Sequence, residues 1–115
     1  MYRFDGNTIY LTRGDTLRAS LSIKQNNTEY TPIEGDSIRF AMKRSDMKHD
    51  RTGYLDTTPL ILKDIPIDTM ILRLEPEDTK SLKFGKYVYD IQITMSNGLV
   101  DTFISDLLYL EPEVD

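Results

Sequence analysis

The only histidine, His49, stands between Asp46 and Asp50, with Asp56 further on. These are the residues whose types come nearest to a divalent-cation ligand set, and on a helix Asp46, His49 and Asp50 would share one face. The stretch from Ser45 to Thr58 that holds them is polar, charged and without period, so a solvated loop is the expected role and no metal is expected. Glu75, Glu77 and Asp78 could be paired carboxylates for proton transfer. Their setting reads differently, because Pro76 suits the first position of a helix and the acids after it suit the positive end. No Ser-His-Asp set can be assembled around a single histidine, and no nucleophile-elbow or glycine-rich phosphate loop occurs. Cysteine is absent, which removes thiolate nucleophiles, thiolate metal sites and disulfides. The chain is therefore expected to be non-enzymatic and to carry no cofactor. Arg13-Gly14-Asp15 matches an integrin-binding tripeptide, yet a hairpin turn needs a glycine there anyway. Asn26-Asn27-Thr28 matches a glycosylation sequon, which has meaning only on a secretory route.

Composition narrows the remaining classes. A chain of 115 residues with 39% hydrophobic and 29% charged residues has room for one domain, residues 1–115, and for a core that needs no staple. Its net charge is −5, and its fourteen basic residues are scattered. Nucleic acid is thus an unexpected partner, since affinity there comes from neutralising phosphates. No run approaches the roughly 18 apolar residues of a membrane span, and Met1-Tyr2-Arg3-Phe4-Asp5-Gly6 has no signal-peptide core. Synthesis in the cytoplasm without a signal peptide, and no membrane partner, are expected.

The elements that would position any site follow a period of two. Leu17, Ala19, Leu21 and Ile23 alternate with polar residues, as do Ile38, Phe40 and Met42. Tyr87, Tyr89, Ile91, Ile93 and Met95 form the longest such run. Successive side chains on a strand point to opposite faces, so each run offers one face to a core and one to water. Further strands are expected over Thr8–Arg13, Pro59–Ile65, Thr69–Glu75, Leu99–Ile104 and Asp106–Glu111. Asn97-Gly98 predicts a type I′ hairpin turn, Gln25-Asn26-Asn27 another hairpin, and Glu34-Gly35-Asp36 the end of a connection. The fold expected is all-β, an immunoglobulin-like antiparallel β-sandwich of about 7–9 strands, with one short helical turn near residues 76–82. Such sandwiches often carry an acidic turn before a strand whose tyrosine bonds back across the corner, and Asp78 and Tyr87 are the candidates for that structural turn. Tyr87 and Tyr89, in step with Ile91, are expected in the core. Tyr10, Tyr30, Tyr54 and Tyr109 are expected in core or sheet-edge packing, with a partner surface as the alternative.

Several stretches resemble small structural proteins of phages and prophages of Gram-positive bacteria. They are Thr12-Arg13-Gly14-Asp15-Thr16-Leu17, Gly35-Asp36-Ser37-Ile38-Arg39-Phe40-Ala41-Met42-Lys43, the segment Leu74 to Leu82, Gly85-Lys86-Tyr87-Val88-Tyr89-Asp90-Ile91, and Gly98-Leu99-Val100-Asp101-Thr102-Phe103. Their order is similar to the N-terminal domain of baseplate upper proteins. That resemblance implies a β-sandwich in a virion or tail, with other virion or tail proteins, or further copies of itself, as partners. The alternative is a carbohydrate- or host-surface-binding module, which the absence of tryptophan weakens. Two substitutions express the expected strand register and turn: Ile91→Asp should unfold the domain, and Arg13→Ala should barely matter for stability.

Overall fold

The computed structural model describes residues 1–25, 27–45 and 59–112. In chain order the described elements are β1 (Tyr2–Asp5), β2 (Thr8–Thr12), β3 (Leu17–Ser20), β4 (Ile23–Gln25), β5 (Thr28–Tyr30), β6 (Ser37–Arg44), β7 (Ile61–Ile65), β8 (Ile71–Leu74), α1 (Pro76–Thr79), β9 (Gly85–Thr94) and β10 (Val100–Glu111). Six strands form one sheet in the order β1-β2-β10-β9-β6-β7, while β3 pairs with β8 and β4 with β5. The all-β, sandwich-like architecture expected from the alternation is what the chain adopts.

The alternating residues decide which face of the large sheet is dry. Ile38, Phe40 and Met42 lie opposite Ile93, Ile91 and Tyr89. On the far side of β9, Ile91 and Tyr87 stand opposite Ile104 and Leu108. Ile9 and Leu11 extend this apolar face through β2. Leu17, Leu72 and Leu74 from the β3–β8 pair, with Ile23 from β4, close over it and complete one continuous core. Each such side chain contributes about 1.5–3 kcal/mol on leaving water. Phe40 and Tyr89 meet within this core, ring centroids 5.5 Å apart.

The described residues hold ten strands where about 7–9 are expected, and further details differ. The large sheet is mixed, because β10 runs parallel to β2, with Leu108 opposite Ile9 and Leu110 opposite Leu11. A parallel pair needs a long crossover, and here almost the whole domain lies between its strands, so local pattern carries no trace of it. The strands expected over Leu99–Ile104 and Asp106–Glu111 are one strand, β10, whose register against β9 shifts between Thr102 and Ile104. Phe103 is the extra residue of this bulge, which reverses the inward set and so breaks the period of two. The Asn97-Gly98 turn is a three-residue loop. The Gly98 N–H donates to the Met95 carbonyl at 2.8 Å and the Met95 N–H to the Leu99 carbonyl at 2.7 Å. Gly98 alone takes positive φ, the pattern of a type I turn followed by a left-handed glycine. No helix among the described residues is long and apolar enough to cross a membrane.

Candidate functional site

The residues singled out for chemistry divide sharply. Asp46, His49, Asp50 and Asp56 lie outside the described residues, as do Tyr54 and Asn26 of the sequon. Glu75, Glu77 and Asp78 belong to the corner that begins α1. The Asp78 carboxylate accepts the Glu75 N–H at 2.7 Å and pairs with the Lys63 ammonium at 3.0 Å. Glu75 pairs with Arg73. Asp78 thus ties the start of α1 to strand β7, while Glu75 turns to Arg73 on β8.

The corner is also where Arg13-Gly14-Asp15 is used. The Gly14 N–H donates to Oγ1 of fully buried Thr79 at 2.9 Å. Arg13 donates to the Leu82 carbonyl at 3.2 Å, and its guanidinium lies 4.1 Å from the centre of the Phe84 ring. Asp15 pairs with the amino terminus. The tripeptide thus fastens the β2–β3 turn to the segment after α1. Arg13 is a packed structural residue, and these contacts favour a larger cost for Arg13→Ala than the sequence alone suggests. Tyr87 donates from its hydroxyl to the Lys83 carbonyl at 2.7 Å. The tyrosine therefore closes its own approach loop, four residues back, while Asp78 closes the acidic turn independently.

A second polar centre is Asp36, which the sequence marks only as the end of a connection. It is buried at the start of β6. One carboxylate oxygen accepts the Tyr30 hydroxyl at 2.5 Å and the Ile33 N–H at 3.0 Å; the other accepts the Ser96 N–H at 2.9 Å. The Tyr30 hydroxyl, followed by the Ile33 amide, holds the Asp36 carboxyl below the usual carboxylate range; partial burial opposes them and the Ser96 amide adds to them. The same contact raises the Tyr30 phenol, with desolvation and the Asp36 charge adding to it. The signal for this site was an aspartate immediately after a turn glycine and before a strand, a position from which short acids bond nearby backbone.

What remains open to a partner lies at the β1 end. Strand β1, which the sequence analysis does not anticipate, has β2 as its one partner among the described residues, and all four of its residues are exposed. Its signal was present in the alternation Tyr2-Arg3-Phe4-Asp5 before Gly6-Asn7. The hairpin tip is anchored: the Tyr89 hydroxyl donates to the Asn7 carbonyl, and Thr8 Oγ1 donates to Asp106 at 2.9 Å. Burial, and then the Asp106 charge, push the Tyr89 phenol up to about 12. Beyond the tip, Tyr2 and Phe4 are 37% and 47% exposed and meet edge to face at 5.7 Å. They overhang a slot of about 330 Å³ whose walls include Ala19, Leu72, Ile91 and Ile104. The Tyr2 hydroxyl spans its mouth to the Arg18 carbonyl at 2.8 Å. On the opposite face, Arg3 lies 3.9 Å over the Tyr10 ring, which stacks on Tyr109.

The two edges of the large sheet differ in protection. Strand β7 at the far edge is bracketed by Pro59 and Pro66, carries Lys63 and Asp64, and is bridged to Asp78 and Arg39. Prolines and charges are the ordinary means by which a sheet edge is kept from pairing. Strand β1 also carries two charges, Arg3 and Asp5, but it has two exposed aromatic residues, no flanking proline and no bulge, so the contrast rests on the prolines and the ion pairs of β7. Comparisons of the chain with protein-family models, with curated proteins and with solved structures find no match. The protein has a β-sandwich-like fold whose large sheet has one guarded and one open edge, and the candidate site is that open edge.

Proposed function

We propose that this chain is a non-enzymatic structural or assembly protein of a phage or prophage virion or tail, baseplate-like in role, that works through protein–protein contacts. Made in the bacterial cytoplasm, it becomes virion-associated on assembly. The observation that carries the contact-based role is the open β1 edge, where Tyr2 and Phe4 are exposed beside unpaired strand backbone. Aromatic residues are enriched at protein interfaces, and free strand edges pair with other chains. The virion setting rests on the resemblance of the Gly35–Lys43, Leu74–Leu82 and Gly85–Ile91 stretches to baseplate upper proteins. Mass spectrometry of particles purified after induction of the source bacterium is expected to find the chain as a stoichiometric component. Its absence from particles, together with failure to bind any particle protein, overturns the reading.

A second reading, a carbohydrate- or host-surface-binding module, has one observation in its favour. Tyr10 and Tyr109 stack at 5.1 Å on the outer face of the sheet, and stacked aromatic rings can form a sugar platform. Arg3 already occupies a face of Tyr10, which counts against it. Glycan-array binding that vanished in Tyr10→Ala would promote this reading over the first.

A further inference from the structure

We propose that the open edge of β1 pairs antiparallel with the same edge of a second copy of this chain, in the register that sets Arg3 of each copy against Asp5 of the other. The inference names the contact surface and the partner for the assembly reading, and rests on that reading for its purpose but on β1 alone for its geometry.

Backbone direction limits the choices. The Met1 carbonyl accepts the Thr12 N–H at 2.9 Å, so Met1, and by alternation Arg3 and Asp5, turn their backbone groups toward β2. Tyr2 and Phe4 therefore present N–H and C=O outward, because opposite residues in an antiparallel ladder alternate between hydrogen-bonded and non-hydrogen-bonded pairs. A two-fold partner must match outward residues to outward residues. Aligning Tyr2 with Phe4 of the second copy places Arg3 against Arg3, and like charges directly opposite are destabilising. Shifting by two residues centres the pair on Phe4, which then exchanges both backbone bonds with its symmetry mate. That register sets Arg3 against Asp5 twice, at the closely spaced non-hydrogen-bonded positions. It also sets Tyr2 against Gly6, where no side chain crowds it; a Cβ at Gly6 would meet nothing within 4 Å. Centring on Tyr2 instead would leave Phe4 unmatched and set Arg3 against Met1, so only the Phe4-centred register pairs opposite charges.

The faces agree with this pairing. Arg3 and Asp5 share the outer face with Tyr10, opposite residues Tyr10 and Thr8, so both ion pairs form on the solvent side. Tyr2 and Phe4 lie on the other face, opposite Leu11 and Ile9, and their exposed rings come together with those of the second copy. A contact of so few residues falls below the ~1,200 Å² of a standard stable interface. The pairing is accordingly weak for an isolated chain and gains strength where an assembly holds copies side by side.

Sedimentation velocity of the full chain over a concentration series tests the pairing with two variants, Arg3→Glu and Asp5→Lys. Both positions are exposed, and melting curves confirm folding. Each variant alone sets like charges opposite at both ion-pair positions and is expected to weaken self-association about tenfold or more. In an equimolar mixture, a copy carrying Arg3→Glu meets a copy carrying Asp5→Lys. Both ion-pair positions then hold opposite charges again, one of them with its sense reversed, and the mixture is expected to recover the parent's association. A parent that stays monomeric to about 1 mM overturns the proposal, as do single variants that associate like the parent or a mixture that does not recover. Failure here with the chain still found in particles rejects the β1 pairing alone; the reverse result rejects the virion setting alone.

Discussion

Single side chains here hold loops to sheets, and their removal should be felt as stability. Tyr87→Phe removes the bond to the Lys83 carbonyl and is expected to cost about 1 kcal/mol in denaturant unfolding. Arg13→Ala loses both the Leu82 carbonyl and the Phe84 ring; about 1–2 kcal/mol is expected in the same measurement. Asp36 makes a pH prediction with a definite sign. Its folded pKa is depressed, so its stabilisation is present above the unfolded value of about 3.9 and lost as pH falls through the folded value. Asp36→Asn should lower the melting temperature at neutral pH and remove part of the parent's acid sensitivity. A variant with the parent's full loss of stability toward low pH would assign that loss to other carboxylates. Tyr89 acts at the opposite end. Its phenol is raised to about 12, so the neutral ring's contribution is whole below the unfolded value of about 10 and is lost as pH rises from there through the folded value.

At the scale of elements, the strands are set by inward alternation and the connections by a few committed turns. Ile91, nearly inaccessible between Phe40 and Ile104, is the sharpest test of the β9 register. Ile91→Asp puts an unpaired charge in the core at a cost of several kcal/mol, against a total stability of about 5–15, and no cooperative unfolding transition should survive. Gly35 tests a turn: its φ is +96°, and a Cβ there would lie 2.9 Å from that of Ser96. Gly35→Ala is expected to destabilise by about 2 kcal/mol in thermal melts, from left-handed strain and that contact together. The long strands were legible because Tyr87 to Ile93 and Ile38 to Met42 each keep one face dry throughout. Pro76 and the acids after it announced α1 equally well. Strand β10 was split in two because the bulge at Phe103 reverses its faces. Strand β1 escaped notice because none of its residues is buried, leaving no contrast of environments behind its alternation. The Asp36 cluster is not legible because its partners, Tyr30 at the end of β5 and Ser96 in the turn between β9 and β10, are far apart in the chain and only the fold brings them together.

For the whole molecule, the informative contrast is between its two sheet edges. Strand β7 is flanked by prolines and bridged by charges, whereas β1 leaves aromatic side chains and outward backbone groups exposed. A sandwich built this way can be extended at one end and not the other, which suits a part that is added to a larger structure. The weakness of a short strand contact in isolation fits such a role, since neighbouring contacts raise the effective concentration. The most direct test is a nitrogen-15 NMR concentration series on the intact chain. The Phe4 amide, whose N–H points away from β2, should shift progressively as the protein is concentrated toward about 1 mM, while the amides of Leu62 and Lys63 on the guarded edge stay in place. A Phe4 resonance that does not move over that range, or one that moves only together with β7, would contradict the account.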